Sequence, residues 1–263
     1  MTMVDRAGNV RRLRAAIVVA VLLTASLEVA ARDLKHKPWV EKDWTVWTTT
    51  DCFNILHYSP WEWIDEGSGR LTGGTLALPE NRRSSNIISL EFSSALPIRE
   101  AKLRTLQLDD HYIKMTPKKR QEFDQAHASE LEQTDSTVKI FYADAWGGRL
   151  ITGTNDTLRP SELAFQRADG TYVTPVSITL LTDPSEITLE GYKIMYVFPR
   201  KVNGADLYSP NDKTISLVFG NELHFDKDHK QFGPQSPVDF RPQEGGGFRF
   251  PIAEMMYKGK LEY

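Results

Sequence analysis

The stretch Ile87 to Leu108, IISLEFSSALPIREAKLRTLQL, constrains the fold more than any other. Ile88, Leu90 and Phe92 alternate with Ile87, Ser89 and Glu91, which is the period of a strand. Pro97 then suits the first turn of a helix, where a missing N–H costs nothing. At 100° per residue, Leu96, Leu103 and Leu106 point one way, and Ile98, Ala101 and Leu108 nearly the opposite way. Glu100, Arg104 and Gln107 form a polar strip between them. A helix apolar on two sides is held between two partners, expected here to be a sheet and a neighbouring helix. Arg99, in the first turn, is a candidate binding residue for an anion; its alternative use is a structural tie to a buried carboxylate or a backbone carbonyl.

The chain ahead of this stretch begins with an export-like segment. Arg11, Arg12 and Arg14 precede the apolar run Ala15 to Leu27, and Val29-Ala30-Ala31 is a small-residue site before Arg32. These features predict a signal peptide over 1–31 and an exported protein, periplasmic or extracellular. If the segment stays uncleaved, it is the expected membrane contact. Without it the chain carries 28 basic and 33 acidic residues, a net charge of −5. That balance gives no electrostatic footprint for nucleic acid and none for adhesion to anionic lipid. Cys52 is the single cysteine, so no internal disulfide supports the fold. In the run Cys52-Phe53-Asn54-Ile55-Leu56 it is expected to pack as a small hydrophobe rather than act chemically.

Between Lys37 and Trp63 stand Trp39, Trp44, Trp47, Trp61 and Trp63. Val40, Trp44 and Trp47 are spaced for one helical face, and Thr48 to Thr50 offer an N-cap for a second helix over Asp51 to His57. Trp39 and Trp61 are candidate binding residues, since exposed indoles would stack on sugar rings; the competing use is burial. Thr116-Pro117 predicts a solvated outer helix to about Gln133, and Ser136 to Ala143 a strand. If that strand and the one before Leu96 are parallel neighbours, their crossover is right-handed.

Beyond a Gly-rich stretch over Asp144 to Pro160 the period is that of strands, with Asp169-Gly170 and Asn203-Gly204 as hairpin turns. Pro175 inside Tyr172 to Leu181 predicts an edge strand or a bulge. A further turn is expected at Gly220-Asn221. The expected fold class is α+β. N-terminal helices and a strand-helix-helix-strand unit over 32–145 precede an antiparallel β-sandwich-like half over 146–263.

Catalytic signatures are sparse. The sequence has no GxSxG, P-loop, HExxH or CxxC, and no cofactor is implied. His224, Asp226, Asp228 and His229 are weak metal candidates, because Lys227 and Lys230 among them suit a solvated turn better. Asp109-Asp110-His111 reads as a polar helix end.

Several short motifs together carry a resemblance. Ser59-Pro60-Trp61, SALPIREA at 94–101 and the Tyr-x-Lys-Met-Thr-Pro stretch from Tyr112 to Pro117 are the N-terminal ones. Phe198-Pro199-Arg200 and Lys258-Gly259-Lys260 are the C-terminal ones. In these the chain resembles a family of exported bacterial proteins that has no assigned activity. The resemblance implies export and a shared fold. It carries over no catalytic residue. The expectation is a non-enzymatic envelope protein that binds another envelope protein or a polysaccharide, or plays a structural part. The alternatives are a hydrolase of envelope glycans, with a Trp-lined cleft, and an adaptor using an exposed β edge at 172–181.

Overall fold

The computed structural model describes residues 37–64, 75–77, 87–132, 135–142, 161–182, 191–223, 231–232, 240–242 and 246–263. The segment 1–31, the expected boundary between 145 and 146, and His224, Asp226, Asp228 and His229 lie outside them. Residues 39–263 group as one compact unit.

Among the described residues four α-helices occupy the first half: α1 (Pro38–Glu41), α2 (Thr49–Tyr58), α3 (Leu96–Asp109) and α4 (Pro117–His127). The expected long aromatic helix over Val40, Trp44 and Trp47 is instead α1 followed by a 3-10 turn at Trp44–Val46, capped by the Asp43 side chain. Val40 is consequently 70 % exposed while Trp47 is fully buried. The N-terminus of α2 is as predicted: Thr48 accepts from the Asp51 N–H, and Asp51 accepts from the Thr48 N–H, a reciprocal capping box.

Two antiparallel sheets form the α+β sandwich. Sheet one has the order β1 (Glu62–Ile64), β3 (Ile87–Phe92), β4 (Ser136–Tyr142), β8 (Tyr192–Phe198), β7 (Ser177–Leu180), β12 (Gln231–Phe232). Sheet two has the order β2 (Thr75–Ala77), β13 (Gly247–Pro251), β11 (Thr214–Glu222), β5 (Ser161–Gln166), β6 (Tyr172–Val173). Short hairpins β9–β10 (Lys201–Val202, Ala205–Asp206) and β14–β15 (Met256–Tyr257, Lys260–Leu261) complete the chain. The sheets meet through aromatic side chains. Phe92 packs edge-on to Phe250 with centroids 4.8 Å apart, Trp63 likewise to Phe248 at 5.1 Å, and Phe165 lies 4.5 Å from Phe198.

The pairing departs from the sequence reading in four places. β3 and β4 pair antiparallel, so the two helices between them form no parallel crossover. The stretches 32–145 and 146–263 share both sheets: β4 is hydrogen-bonded to β8, and β2 to β13. The run Tyr172 to Leu181 is not one edge strand. β6 ends sheet two, the chain passes Pro175, and β7 joins sheet one between β8 and β12. Proline lacks the N–H a continuous ladder needs, so the break falls there. β11 also runs straight through Gly220-Asn221, with a register shift between Phe219 and Glu222 in place of the expected turn.

α3 inverts part of its predicted polarity. Ile98, Ala101 and Leu103 are buried as expected, but Leu106 is 39 % exposed and the polar strip is buried. The strip has partners no local pattern announces. Arg104 Nε donates to the Trp47 carbonyl at 2.9 Å and its Nη1 to Gln107 Oε1 at 3.1 Å. Glu100 accepts from the Tyr257 hydroxyl and, at 2.8 Å, from Lys258 Nζ. The last residues lock the same helix. The Leu96 N–H donates to Glu262 Oε2, Trp61 Nε1 donates to the Glu262 carbonyl, and Ser94 Oγ and Arg200 Nη2 donate to the Tyr263 carbonyl.

Candidate functional site

Strand alternation puts Trp63, Leu90 and Phe92 on the inner face of sheet one and their neighbours Glu62, Ser89 and Glu91 on the other. Glu62 lies directly opposite Glu91 in the antiparallel register, and Glu91 lies opposite Lys139 on β4. Three titratable side chains thus share one rung. α3 covers this face: Lys102 Nζ reaches Glu91 Oε1 at 2.6 Å. α2 closes the edge, where His57 Nδ1 stands 4.0 Å from Glu62 Oε2.

Glu62 is the unusual member. The residue is 6 % exposed, and its buried Oε2 has no hydrogen-bond partner. Burial, reinforced by the like charge of Glu91, pushes its carboxyl up to about 8. Burial likewise pulls the His57 imidazole and the Lys139 ammonium down. A carboxylic acid neutral near pH 7 can donate a proton or a hydrogen bond, as an ionised one cannot. Among the described residues, four of the seven buried side-chain polar atoms without a partner belong to Asn54 in α2, Ser59 at its C-terminal end, and Glu62 and Trp63 on opposite faces of β1. Such groups are uncommon in folded proteins and mark places where something polar is accommodated. Beside the turn from α2 into β1 the Phe53 ring is half exposed, 4.5 Å from the His57 ring and 5.8 Å from the Tyr58 ring.

The side chains singled out in the sequence lie elsewhere and are committed to packing. Trp61 is fully buried, with its N–H on the Glu262 carbonyl and Trp39 edge-on at 5.7 Å. Trp47 and Trp63 are also buried and Trp44 is half-buried, so no Trp-lined cleft exists among the described residues. Arg99 is buried, donating to the Ser94 carbonyl at 2.8 Å and the Glu130 carbonyl at 3.2 Å. Burial pulls its pKa down. This is the carbonyl tie rather than an anion site. Cys52 is buried, and burial pushes its thiol pKa up, away from the reactive thiolate. Among the described residues no three His, Cys, Asp or Glu side chains are placed to hold a metal ion, and no helix is long and apolar enough to cross a membrane.

Glu62 was missed in the sequence because an acid beside Ser-Pro-Trp resembles any polar surface position. The available signal was a lone carboxylate between two tryptophans, Trp61 and Trp63. Compared with protein-family models, with curated proteins and with solved structures, the chain shows no match.

Proposed function

We propose that the protein is an exported envelope component that binds a polysaccharide without turning it over, using the turn from α2 into β1. The observation that carries this is the buried, unpartnered Glu62 Oε2 next to a half-exposed aromatic surface. A neutral Glu62 offers a hydroxyl donor and a carbonyl acceptor, and the Phe53 ring offers an apolar face. Sugars present both hydroxyls and an apolar ring face. His57, whose Nδ1 stands 4.0 Å from Glu62 Oε2, moves aside for the ligand in this reading. The N-terminal basic and apolar run supports export, as does the resemblance through SALPIREA and its companion motifs.

Calorimetric titration with neutral oligosaccharides tests the binding. Phe53→Ala is expected to weaken it by at least about tenfold, the worth of one lost stacking contact. Failure of every neutral glycan to bind, or equal binding by the variant, would sink the reading. Mass spectrometry of the exported chain tests processing after Ala31.

A second reading, glycan hydrolysis, has one specific observation in its favour. Glu62 and Glu91 are opposed carboxyls in unlike surroundings, one neutralised by burial and one paired with Lys102. That is the division of an acid and a base in glycoside hydrolysis. Release of reducing ends that disappears in Glu62→Gln would favour this reading over binding alone. The adaptor reading retains only the two-residue edge strand β6 and the exposed Val176 beside it.

A further inference from the structure

We infer that the corner between α3 and α4, residues 111–120, is a docking surface for an anionic lipid bilayer. The chain as a whole is acidic, with a formal net charge of −3, yet between Asp110 and Glu122 it contains Lys114, Lys118, Lys119 and Arg120 and no acidic residue. Local charge, not the total, governs contact with a surface, because charges beyond a Debye length of about 8 Å are screened.

The corner is held in one shape. His111 takes a left-handed conformation at φ 53° and turns the chain off α3. Residues Tyr112–Lys114 form a 3-10 turn, and the Thr116 hydroxyl caps α4 by accepting from the Lys119 N–H. Arg120 Nη2 donates to the Ile113 carbonyl at 2.6 Å, and its guanidinium lies over the Tyr112 ring at 5.7 Å. The first turn of α4 is thereby folded back on the 3-10 turn, with Arg120 held against the Ile113 carbonyl.

Ile113 is 70 % exposed at the tip, with Lys114, Lys118 and Lys119 exposed near it. A single exposed isoleucine has no meaning by itself. Beside Lys114 in the chain, braced by Arg120 and followed by Lys118 and Lys119, it has the composition of an interfacial anchor: an apolar side chain for the acyl boundary and ammonium groups for lipid phosphates. The nearby acids offset part of the charge. Both Asp124 oxygens accept from the Tyr112 hydroxyl, and Glu122 lies 3.9 Å from Lys118. Lys114 and Lys119 join no ion pair among the described residues, while Asp109 ends α3 and Asp110 caps it, ahead of the His111 turn. A nucleic acid or another soluble polyanion would use the cations and ignore Ile113, so the isoleucine is the discriminating residue.

The test is co-sedimentation of the full chain with vesicles of phosphatidylcholine alone and with an equal share of phosphatidylglycerol. Tighter binding to the anionic vesicles is expected, decreasing as salt is raised. At about 1 kcal/mol per lysine near the surface, the variant carrying Lys114→Glu, Lys118→Glu and Lys119→Glu should lose about a hundredfold of that preference. Ile113→Ser, which leaves the charge unchanged, should weaken binding to the anionic vesicles further. Any binding through the N-terminal apolar run stays equal in all variants, and circular dichroism confirms their folding; Lys119→Glu alone serves if the triple variant is unstable. No preference for anionic vesicles, or a preference untouched by the lysine substitutions, overturns the inference. So does a preference that dextran sulfate abolishes while Ile113→Ser leaves it unchanged, since that describes a polyanion patch.

Discussion

The two faces of sheet one are made by the same strands and have opposite chemistry. On the inner face Leu90, Phe92, Ile140, Ile194 and Phe198 are completely buried in one apolar cluster with side chains of sheet two, and the Tyr196 hydroxyl there is satisfied by the Ser161 carbonyl. On the outer face the rung Glu62–Glu91–Lys139 is also largely covered, by α2 and α3, but each charge there depends on a particular partner or on losing its charge. An apolar face is tolerant: any neighbour of suitable shape satisfies it. A covered polar face must be matched group by group, and at Glu62 the match is incomplete. The place where a ligand or a proton can change the molecule is therefore the outer face.

Three substitutions would break or sharpen this contrast. The largest effect belongs to the inner face. Phe92→Ala removes a ring packed against Phe250 and Phe165 and should cost about 3–5 kcal/mol, read as a lower urea midpoint at unchanged slope. A loss below about 1 kcal/mol would mean that the sheets do not form one core.

Next is Glu62→Gln, whose effect depends on pH. The folded carboxyl titrates at about 8 against 4.5 when unfolded. Its stabilising contribution is therefore complete below the unfolded value and is lost as pH rises towards 8, by up to about 4 kcal/mol. The variant should match the parent near pH 4 and exceed it at pH 9, measured by urea unfolding across that range. His57 works in the opposite sense, since its lowered pKa removes stability as pH falls through its ordinary range. Parallel stability curves for parent and Glu62→Gln would show that the carboxyl is ionised in place.

The smallest effect is expected for Lys102→Met. Its ion pair with Glu91 is part-exposed, so its direct worth is about 1 kcal/mol or less. Losing the cation nearest the carboxyl pair should also move the midpoint of the Glu62 transition upward, which the same pH series detects.

The local devices were legible in the sequence, because each is encoded within a few residues. The Thr48 and Thr116 caps, the Asp169-Gly170 and Asn203-Gly204 turns and the alternation of Tyr192 to Phe198 all stand where their residue types require. The sandwich class followed from counting such signals. Periodicity failed on α3, where it exposed the wrong side. Glu100, Arg104 and Gln107 are buried through Tyr257, Lys258 and Trp47, all distant in the chain. It also failed at Pro175, where the chain changes sheets, while Trp39 and Trp61 took burial, one of the two uses open to them in the sequence.

What the sequence determined alone is therefore the set of elements and their caps, since these rest on dihedral preferences and hydrogen bonds between near neighbours. Tertiary structure alone decided how the halves interleave into two sheets and which acid lost its partner. A strand carries no mark of its neighbour's direction. A carboxyl becomes unusual only when chain from elsewhere, here α2 and β3, takes away its water and supplies no donor in return.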